Sequence, residues 1–107
     1  MSWKVVVKES VIADLRWFGR RDGRLILQEA AALLETDPLL QTRNRKRLRP
    51  NPIAQHELRV FGKYRVLFNV DEAEKVVTLV VVGEKRGSTL IVQGKEYKEH
   101  HESDPTL

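Results

Sequence analysis

Two arginines, Arg59 and Arg65, lie in the β-rich runs that flank Gly62 and Lys63. Such runs around a glycine predict a β-hairpin. A three-residue loop at 61–63 pairs Arg59 with Arg65, and because side chains alternate between the faces of a strand, both guanidinium groups lie on one face. Like charges directly opposite each other repel. The pair therefore predicts a site for an anionic ligand or an acidic partner.

The apolar residues of the hairpin favour this loop length. A two-residue loop would mix apolar and charged side chains on both faces, and a slip of one residue would bury charge. The three-residue loop needs a left-handed residue, which Gly62 supplies. The predicted apolar face consists of Leu58, Val60, Tyr64, Val66 and Phe68. The opposite face consists of Glu57, Arg59 and Arg65.

A second group of cations is concentrated in one stretch: Arg43, Arg45, Lys46, Arg47 and Arg49. This stretch lies in a long connection, 37–54, and long connections inside a compact domain are often functional. Basic clusters attract polyanions. A solvated loop explains the same charges equally well, so charge alone leaves both interpretations open.

The region before the hairpin predicts one strand and two helices. The β-branched run at 3–7 predicts the strand. Ser10 is the expected N-cap of the first helix and Asp22 that of the second, which ends near Glu35. Trp17 is expected in the core or at its edge. Helical spacing predicts the buried residues Val11, Ile12, Leu15 and Phe18, and then Ile26, Ala30, Leu33 and Leu34.

The region after the hairpin predicts two more strands. The apolar run at 75–82 predicts a strand that is buried on both faces and ends at 83–87. A short strand is expected at 89–92, before a turn at 93–94. The element order predicts an α+β fold, with both helices on one face of a three- or four-stranded antiparallel sheet. The other face is expected to be open and basic.

Composition predicts one globular domain with a basic surface. The chain has 107 residues, 32% of them charged, a net charge of +4 and no cysteine, so disulfides and thiolate metal sites are excluded. No cofactor is predicted. The first residues are too few and too charged for a signal peptide, and no apolar run approaches the ~20 residues that span a bilayer, so a cytoplasmic location is expected. The expected domain covers 1–102, and 103–107 is expected to be disordered.

Three segments together resemble the RelE/ParE superfamily of bacterial toxins, which are the toxin halves of type II toxin–antitoxin modules. The segments are Glu57-Leu-Arg-Val, Gly62-Lys-Tyr-Arg-Val-Leu-Phe-Asn-Val-Asp and Val80-Val-Val-Gly-Glu-Lys-Arg. The resemblance extends to about Gly87. It implies a small sheet with a helical hairpin on one side and a basic concave face that receives mRNA in the ribosomal A site. RelE-type members cleave that mRNA without a metal.

The resemblance also implies roles for individual residues. The arginine after the hairpin tyrosine corresponds to Arg65, and the basic residue of the facing strand to Arg59. The last arginine of the motif corresponds to Arg86, with Lys85 as the neighbouring alternative. All of these would stabilise phosphate charge. The expected RNA-binding residues are Arg43, Arg45, Lys46, Arg47, Arg49 and Lys63.

The residues that transfer protons are left open by the resemblance. Glu57 stands where RelE has a lysine, and is either a different base or a lost function. No tyrosine follows the last arginine at the RelE spacing. Tyr97, His100, His101 and His56 are the alternatives, because tyrosine is the missing group and histidine titrates near neutral pH. Paired histidines in an acidic tail are more often plain surface residues than catalytic ones.

Three functions are consistent with these features. The first is a ribosome-dependent mRNA endonuclease that produces a 2′,3′-cyclic phosphate and is neutralised by a cognate antitoxin. The second is inhibition of DNA gyrase, because ParE-type relatives share the fold and lack the nuclease residues. The third is an inactive toxin that acts with its antitoxin in DNA-bound autoregulation.

Overall fold

The computed structural model describes residues 3–97, which form two helices packed on one face of a β-sheet. The elements are β1 Lys4–Val7, α1 Glu9–Trp17, α2 Arg20–Leu34, β2 Arg45–Arg47, β3 His56–Val60, β4 Tyr64–Asp71, β5 Val76–Arg86, β6 Thr89–Val92 and β7 Lys95–Glu96. The neighbouring strands are antiparallel in the order β2-β3-β4-β5-β6-β7. β1 pairs with β5 in parallel, and the two helices supply the crossover that a parallel pair needs. The predicted α+β fold is confirmed, with two short strands, β2 and β7, added to it.

The central hairpin has the predicted register. Arg59 pairs with Arg65, and Val60 pairs with Tyr64. Gly62 has the predicted positive φ, 79°, and Phe61 adopts one as well, 51°. The apolar face of the hairpin is buried against the helices, together with side chains of α1 and α2: Val11, Leu15, Ile26, Ala30 and Leu34. Burial of each large apolar side chain contributes about 1.5–3 kcal/mol, so this core fixes which face the arginines occupy.

β5 is the central strand and is longer than predicted. β4 pairs along one edge of β5, while β1 and β6 share the other edge at 76–79 and 84–86. The prediction that the strand covers only 75–82 is wrong, because β5 continues through Gly83 to Arg86 and pairs there with β6. A Cβ at Gly83 would lie 2.6 Å from the carbonyl oxygen of Ile91, so only glycine lets β6 approach this closely.

α1 differs from the prediction at both ends. Its N-cap is Lys8 rather than Ser10, because the Lys8 carbonyl accepts a hydrogen bond from the amide of Val11. Trp17 is 59% exposed rather than part of the core. Its ring covers Gly94 of the β6–β7 turn, where a Cβ would lie 2.7 Å from the indole.

α2 begins before the predicted cap. Its N-cap is Gly19, with φ 97°, and Asp22 lies within the first turn. Gly23 lets the two helices approach closely, since a Cβ there would lie 2.4 Å from the carbonyl oxygen of Leu15. The resulting groove leaves Ile12, predicted to be buried, 39% exposed.

The sheet face opposite the helices is only partly open. A second apolar cluster covers its middle, made of Leu48, Ile53, Ala54, Leu67, Val80, Val81, Leu90, Val92 and Tyr97. The predicted 37–54 connection supplies three of these residues and also forms β2. The basic surface is therefore confined to one end of the face, where β2, β3, β4 and the last part of β5 meet.

Two further expectations concern membrane spans and the chain end. Neither α1 nor α2, the helices of residues 3–97, has the length and apolar character needed to cross a membrane. His100, His101 and the predicted boundary and tail at 102–107 lie outside the described residues.

Candidate nucleic-acid interface

A small cleft of about 80 Å³ lies at the basic end of the sheet face opposite the helices. It is lined by Arg43, Asn44, Arg45, Lys46, Glu57, Arg59, Arg65 and Lys85. Six of these residues are basic and one is acidic, so the cleft is strongly electropositive. A concave surface of this kind concentrates anionic ligands.

Strand alternation places three cations together in the cleft. Arg59 lies between the buried Leu58 and Val60, so its side chain points away from the core. Arg65 is its cross-strand partner, and Lys85 lies two residues beyond Gly83, which pairs with Arg65. The Lys85 amide donates a 2.9 Å hydrogen bond to the carbonyl of Lys63, which ties the end of β5 to the hairpin loop.

Arg65 is buried and held in one orientation. Its side chain is 10% exposed and its Nε lies 3.5 Å from Oε2 of Glu57. Its Nη1 donates to the carbonyls of Gly62 and Tyr64 at 3.2 and 3.1 Å. Burial lowers the pKa of Arg65, Arg59 lowers it further, and Glu57 opposes both. Bound phosphate would relieve the repulsion between the two arginines.

Glu57 is the acidic residue of the cleft. Its carboxylate also lies 3.5 Å from Nζ of Lys46, so it bridges β2 and β4 from β3. Its side chain is 11% exposed. Residues 3–97 contain no group of three acidic or histidine side chains arranged to hold a metal ion.

Arg59 and Lys85 remain available to a ligand. Within residues 3–97 neither side chain forms an ion pair. Arg59 is exposed and Lys85 is half-buried. The cleft therefore combines one fixed guanidinium, Arg65, with two adaptable cations beside it.

A tight turn before β2 forms the rim of the cleft. The backbone amide of Asn44 donates a 3.1 Å hydrogen bond to the hydroxyl of Thr42. The backbone carbonyl of Asn44 accepts a 2.7 Å hydrogen bond from the backbone amide of Arg59. These contacts place Arg43 beside the cleft. Asn44 was not predicted as a site residue, although threonine and asparagine two residues apart are typical of such turns.

Arg45 and Arg86 were predicted to belong to the site, but the guanidinium group of each interacts with other groups of the protein. The Arg45 guanidinium donates a 3.0 Å hydrogen bond to the carbonyl of Leu33, in the last turn of α2, and another to the carbonyl of Asp37, which follows the helix. Arg86 lies 3.5 Å from the carboxylate of Glu84. Glu84 pairs with the core residue Tyr64, so alternation places Arg86 on the helix side of the sheet. Lys85, the neighbouring alternative, is the residue that the fold brings to Arg65.

The remaining predicted RNA-binding residues do not line the cleft. Lys63 places its ammonium 5.1 Å from the centre of the Tyr64 ring, on the core side of the hairpin. Arg47 pairs with His56 at the far end of β2. Arg49 is exposed in the connection that follows β2. Arg43, Arg45 and Lys46 are the members of the basic cluster that line the cleft.

None of the described proton-transfer candidates other than Glu57 reaches the cleft. His56 is buried and stacks on Phe68 with the ring centres 5.1 Å apart, and burial, followed by the charge of Arg47, lowers its pKa. Tyr97 packs in the second apolar cluster. Tyr64 faces the core. The expectation that His56 could serve in the site is therefore wrong.

Comparison with known proteins rests on solved structures. No protein-family model and no curated protein sequence matches the chain. The toxin–antitoxin complex RelBE2 of Mycobacterium tuberculosis contains a chain that is 24% identical, covers 79% of this chain and all of its own length, and has a TM-score of 0.67. The protein has the RelE fold.

Two further RelE structures agree with this assignment. An archaeal RelE–RelB complex from Pyrococcus horikoshii is 22% identical over 81% of this chain and 98% of its own, with a TM-score of 0.63. A free E. coli RelE mutant is 20% identical over 82% and 88%, with a TM-score of 0.61. The resemblance noted in the sequence is thus confirmed as a RelE fold.

Proposed function

We propose that this RelE-fold protein is the toxin of a type II toxin–antitoxin module and cleaves mRNA on the ribosome. The observation that supports this function is the cleft in which Arg59, Arg65 and Lys85 converge on one end of the sheet. Three cations around one small space fit a phosphodiester whose negative charge increases during cleavage.

The proposed reaction is an intramolecular displacement. The 2′-oxygen of one nucleotide attacks its own 3′-phosphate, the bond from phosphorus to the 5′-oxygen of the next nucleotide breaks, and a 2′,3′-cyclic phosphate and a 5′-hydroxyl result. One proton leaves the 2′-hydroxyl and another reaches the departing 5′-oxygen.

In the proposed reaction, different residues of the cleft bind the phosphate, neutralise its charge and accept the proton. Arg65, fixed by Glu57 and by two carbonyls, holds the phosphate, while Arg59 and Lys85 neutralise the charge that develops on its oxygens. Glu57, which lines the same cleft, is the proposed acceptor of the 2′-hydroxyl proton. Among residues 3–97, no tyrosine or histidine lines the cleft to return a proton.

The proposed partner is a cognate antitoxin. Two of the matched structures are complexes of RelE with RelB. An antitoxin of this chain would neutralise the basic cleft with acidic side chains. A small open reading frame beside the gene that encodes a DNA-binding protein, and whose product restores growth on co-expression, is the expected finding.

A primer-extension assay on translated mRNA tests the proposed activity. Wild-type protein is expected to give new 5′ ends within codons on the ribosome, and Arg59→Gln to lose most of them while remaining folded. Equal cleavage by wild type, Arg59→Gln and Arg65→Ala would rule out this site.

Inhibition of DNA gyrase is the second candidate function. It is favoured by the positions of Tyr64 and Tyr97, neither of which lines the cleft. Loss of supercoiling activity by gyrase, without any RNA cleavage, would establish it. Unchanged growth on expression without the antitoxin would instead favour an inactive toxin that retains autoregulation.

A further inference from the structure

The helical hairpin carries a second basic surface that the proposed cleavage does not use. We call it the helical arginine patch, and it consists of Arg16, Arg20, Arg21 and Arg24. Arg16 lies in the last turn of α1 and the other three in the first turns of α2. Because both helices cover the face of the sheet opposite the cleft, the patch lies on the other side of the molecule.

The charges of the patch are not neutralised within the fold. All four arginines are exposed, and within residues 3–97 none of them forms an ion pair. The segment 16–24 contains these four arginines and one acidic residue, Asp22, so its net charge is +3. Four uncompensated guanidinium groups this close repel one another, and a polyanion would stabilise them.

The spacing of the arginines fits a phosphate backbone. Arg20 and Arg24 are one helical turn apart, so their side chains leave the helix about 6 Å from each other on one face. Arg16 lies across the interhelical groove from them, and Arg20 and Arg24 also line a neighbouring hollow with Arg21. Guanidinium groups bind phosphate oxygens in a bidentate manner and remain charged at all physiological pH values.

We infer that the helical arginine patch binds the phosphate backbone of folded RNA, at the same time as the cleft holds the single strand to be cut. The RNA class rests on the proposed ribosomal function, whereas the binding surface does not. A protein with basic surfaces on opposite sides can contact two RNA segments at once. The patch would then supply affinity for the structured RNA around the cleft's substrate, without contributing to the chemistry.

Binding of a 2′-O-methyl RNA hairpin, measured by fluorescence anisotropy at several salt concentrations, tests the inference. This probe lacks the free 2′-hydroxyl, so its binding is independent of cleavage. Arg20→Gln/Arg24→Gln is expected to weaken binding about tenfold and to reduce the slope of log affinity against log salt by about two. The matched control, Lys4→Gln/Lys95→Gln, removes the same charge outside both basic surfaces and should bind like wild type.

Three results would overturn the inference. In the first, the patch variant binds the hairpin as tightly as the control does. In the second, a DNA duplex of the same sequence binds more tightly than the RNA, with the same dependence on Arg20 and Arg24. In the third, the patch variant loses affinity for an acidic amphipathic peptide and not for RNA, because the apolar groove beside Ile12 and Leu27 receives a protein helix. Loss of mRNA cleavage in Arg59→Gln alone bears on the proposed function and leaves this inference intact.

Discussion

Arg59 and Arg65 face each other across one rung of the hairpin and have different surroundings. Arg65 is buried beside Glu57 and donates to two carbonyls, whereas Arg59 is exposed and forms no ion pair within residues 3–97. Arg65 therefore contributes to the fold as well as to the proposed site, whereas Arg59 contributes to the proposed site alone. Substitution of Arg65 should therefore lower stability, whereas substitution of Arg59 should weaken binding without lowering stability.

Substitution of the two arginines by glutamine tests this difference. Arg65→Gln is expected to lower the free energy of unfolding by about 1–3 kcal/mol, because it removes the buried partner of the Glu57 carboxylate and leaves only the exposed Lys46. Arg59→Gln should change it by less than about 0.5 kcal/mol, since it removes a like-charge repulsion from an exposed position. Urea unfolding measures both, and equal destabilisation by the two variants would contradict the account.

His56 makes stability depend on pH. Its pKa is lowered below 6.5 in the folded protein, so below pH 6.5 the unfolded chain binds more protons than the folded one. The free energy of unfolding is therefore expected to fall as pH falls from about 7 to 5. His56→Phe, which keeps the stacking on Phe68, should flatten this part of the curve.

The two other histidines provide the control for this experiment. His100→Gln/His101→Gln removes two titrating groups and keeps His56, so its curve is the reference with which the curve of His56→Phe is compared. A flattened curve in this control, with an unchanged curve in His56→Phe, would place the effect elsewhere in the chain.

At the scale of elements, a single carboxylate joins α1 to the sheet. Between the β1 and β6 pairings, Oδ2 of Asp14 accepts a 3.0 Å hydrogen bond from the amide of Val82. Oδ1 of Asp14 accepts a 2.7 Å hydrogen bond from the side-chain amide of Gln93. The carboxylate thus replaces a neighbouring strand along this part of the β5 edge.

Replacing Asp14 tests this role. Asp14→Ala should lower the free energy of unfolding by about 1–3 kcal/mol and speed hydrogen exchange at the Val82 amide, which loses its acceptor. Gln93→Ala is the matched control, because it removes the exposed partner and leaves the amide bonded. Equal effects of the two substitutions on exchange at Val82 would contradict the proposed contact.

Local pattern predicted those elements whose residues interact with near neighbours. The hairpin register was predictable because alternation and one turn decide it within fifteen residues. The contact between Asp14 and Val82 was not, since it joins residues 68 apart. The continuation of β5 through Gly83 and the exposure of Trp17 were missed for the same reason. Both depend on the approach of the β6–β7 segment, which no local signal encodes.

Predictions for the candidate site divide in the same way between what local pattern determines and what long-range contacts determine. Strand alternation predicted that Arg59 and Arg65 share a face, whereas Lys85 was only the alternative to Arg86 that the family resemblance implies. Both Lys46 and Arg45 line the cleft, and charge alone did not show that the donors of Arg45 are used by the carbonyls of Leu33 and Asp37. A basic residue's role depends on which face of a short edge strand it occupies, and β2 itself was not predicted.

In the molecule as a whole, positive charge is concentrated in the cleft and in the helical arginine patch. RNA binding is accordingly expected to weaken steeply with salt, because each phosphate contact releases counterions. For a single-stranded 2′-O-methyl RNA, Arg59→Gln should reduce the slope of log affinity against log salt by about 0.7. Arg49→Gln, outside the cleft, should leave the slope unchanged. A slope near zero for the wild type would contradict an electrostatic interface.

The central claim is that the RNA phosphate binds where Arg59, Arg65 and Lys85 converge. Primer extension on translated mRNA with Lys85→Gln and Arg86→Gln tests it most directly, because the two residues are adjacent in sequence and lie on opposite faces of β5. Lys85→Gln is expected to reduce cleavage about 10²-fold, whereas Arg86→Gln should cleave like wild type. Full cleavage by Lys85→Gln with loss of cleavage by Arg86→Gln would contradict it.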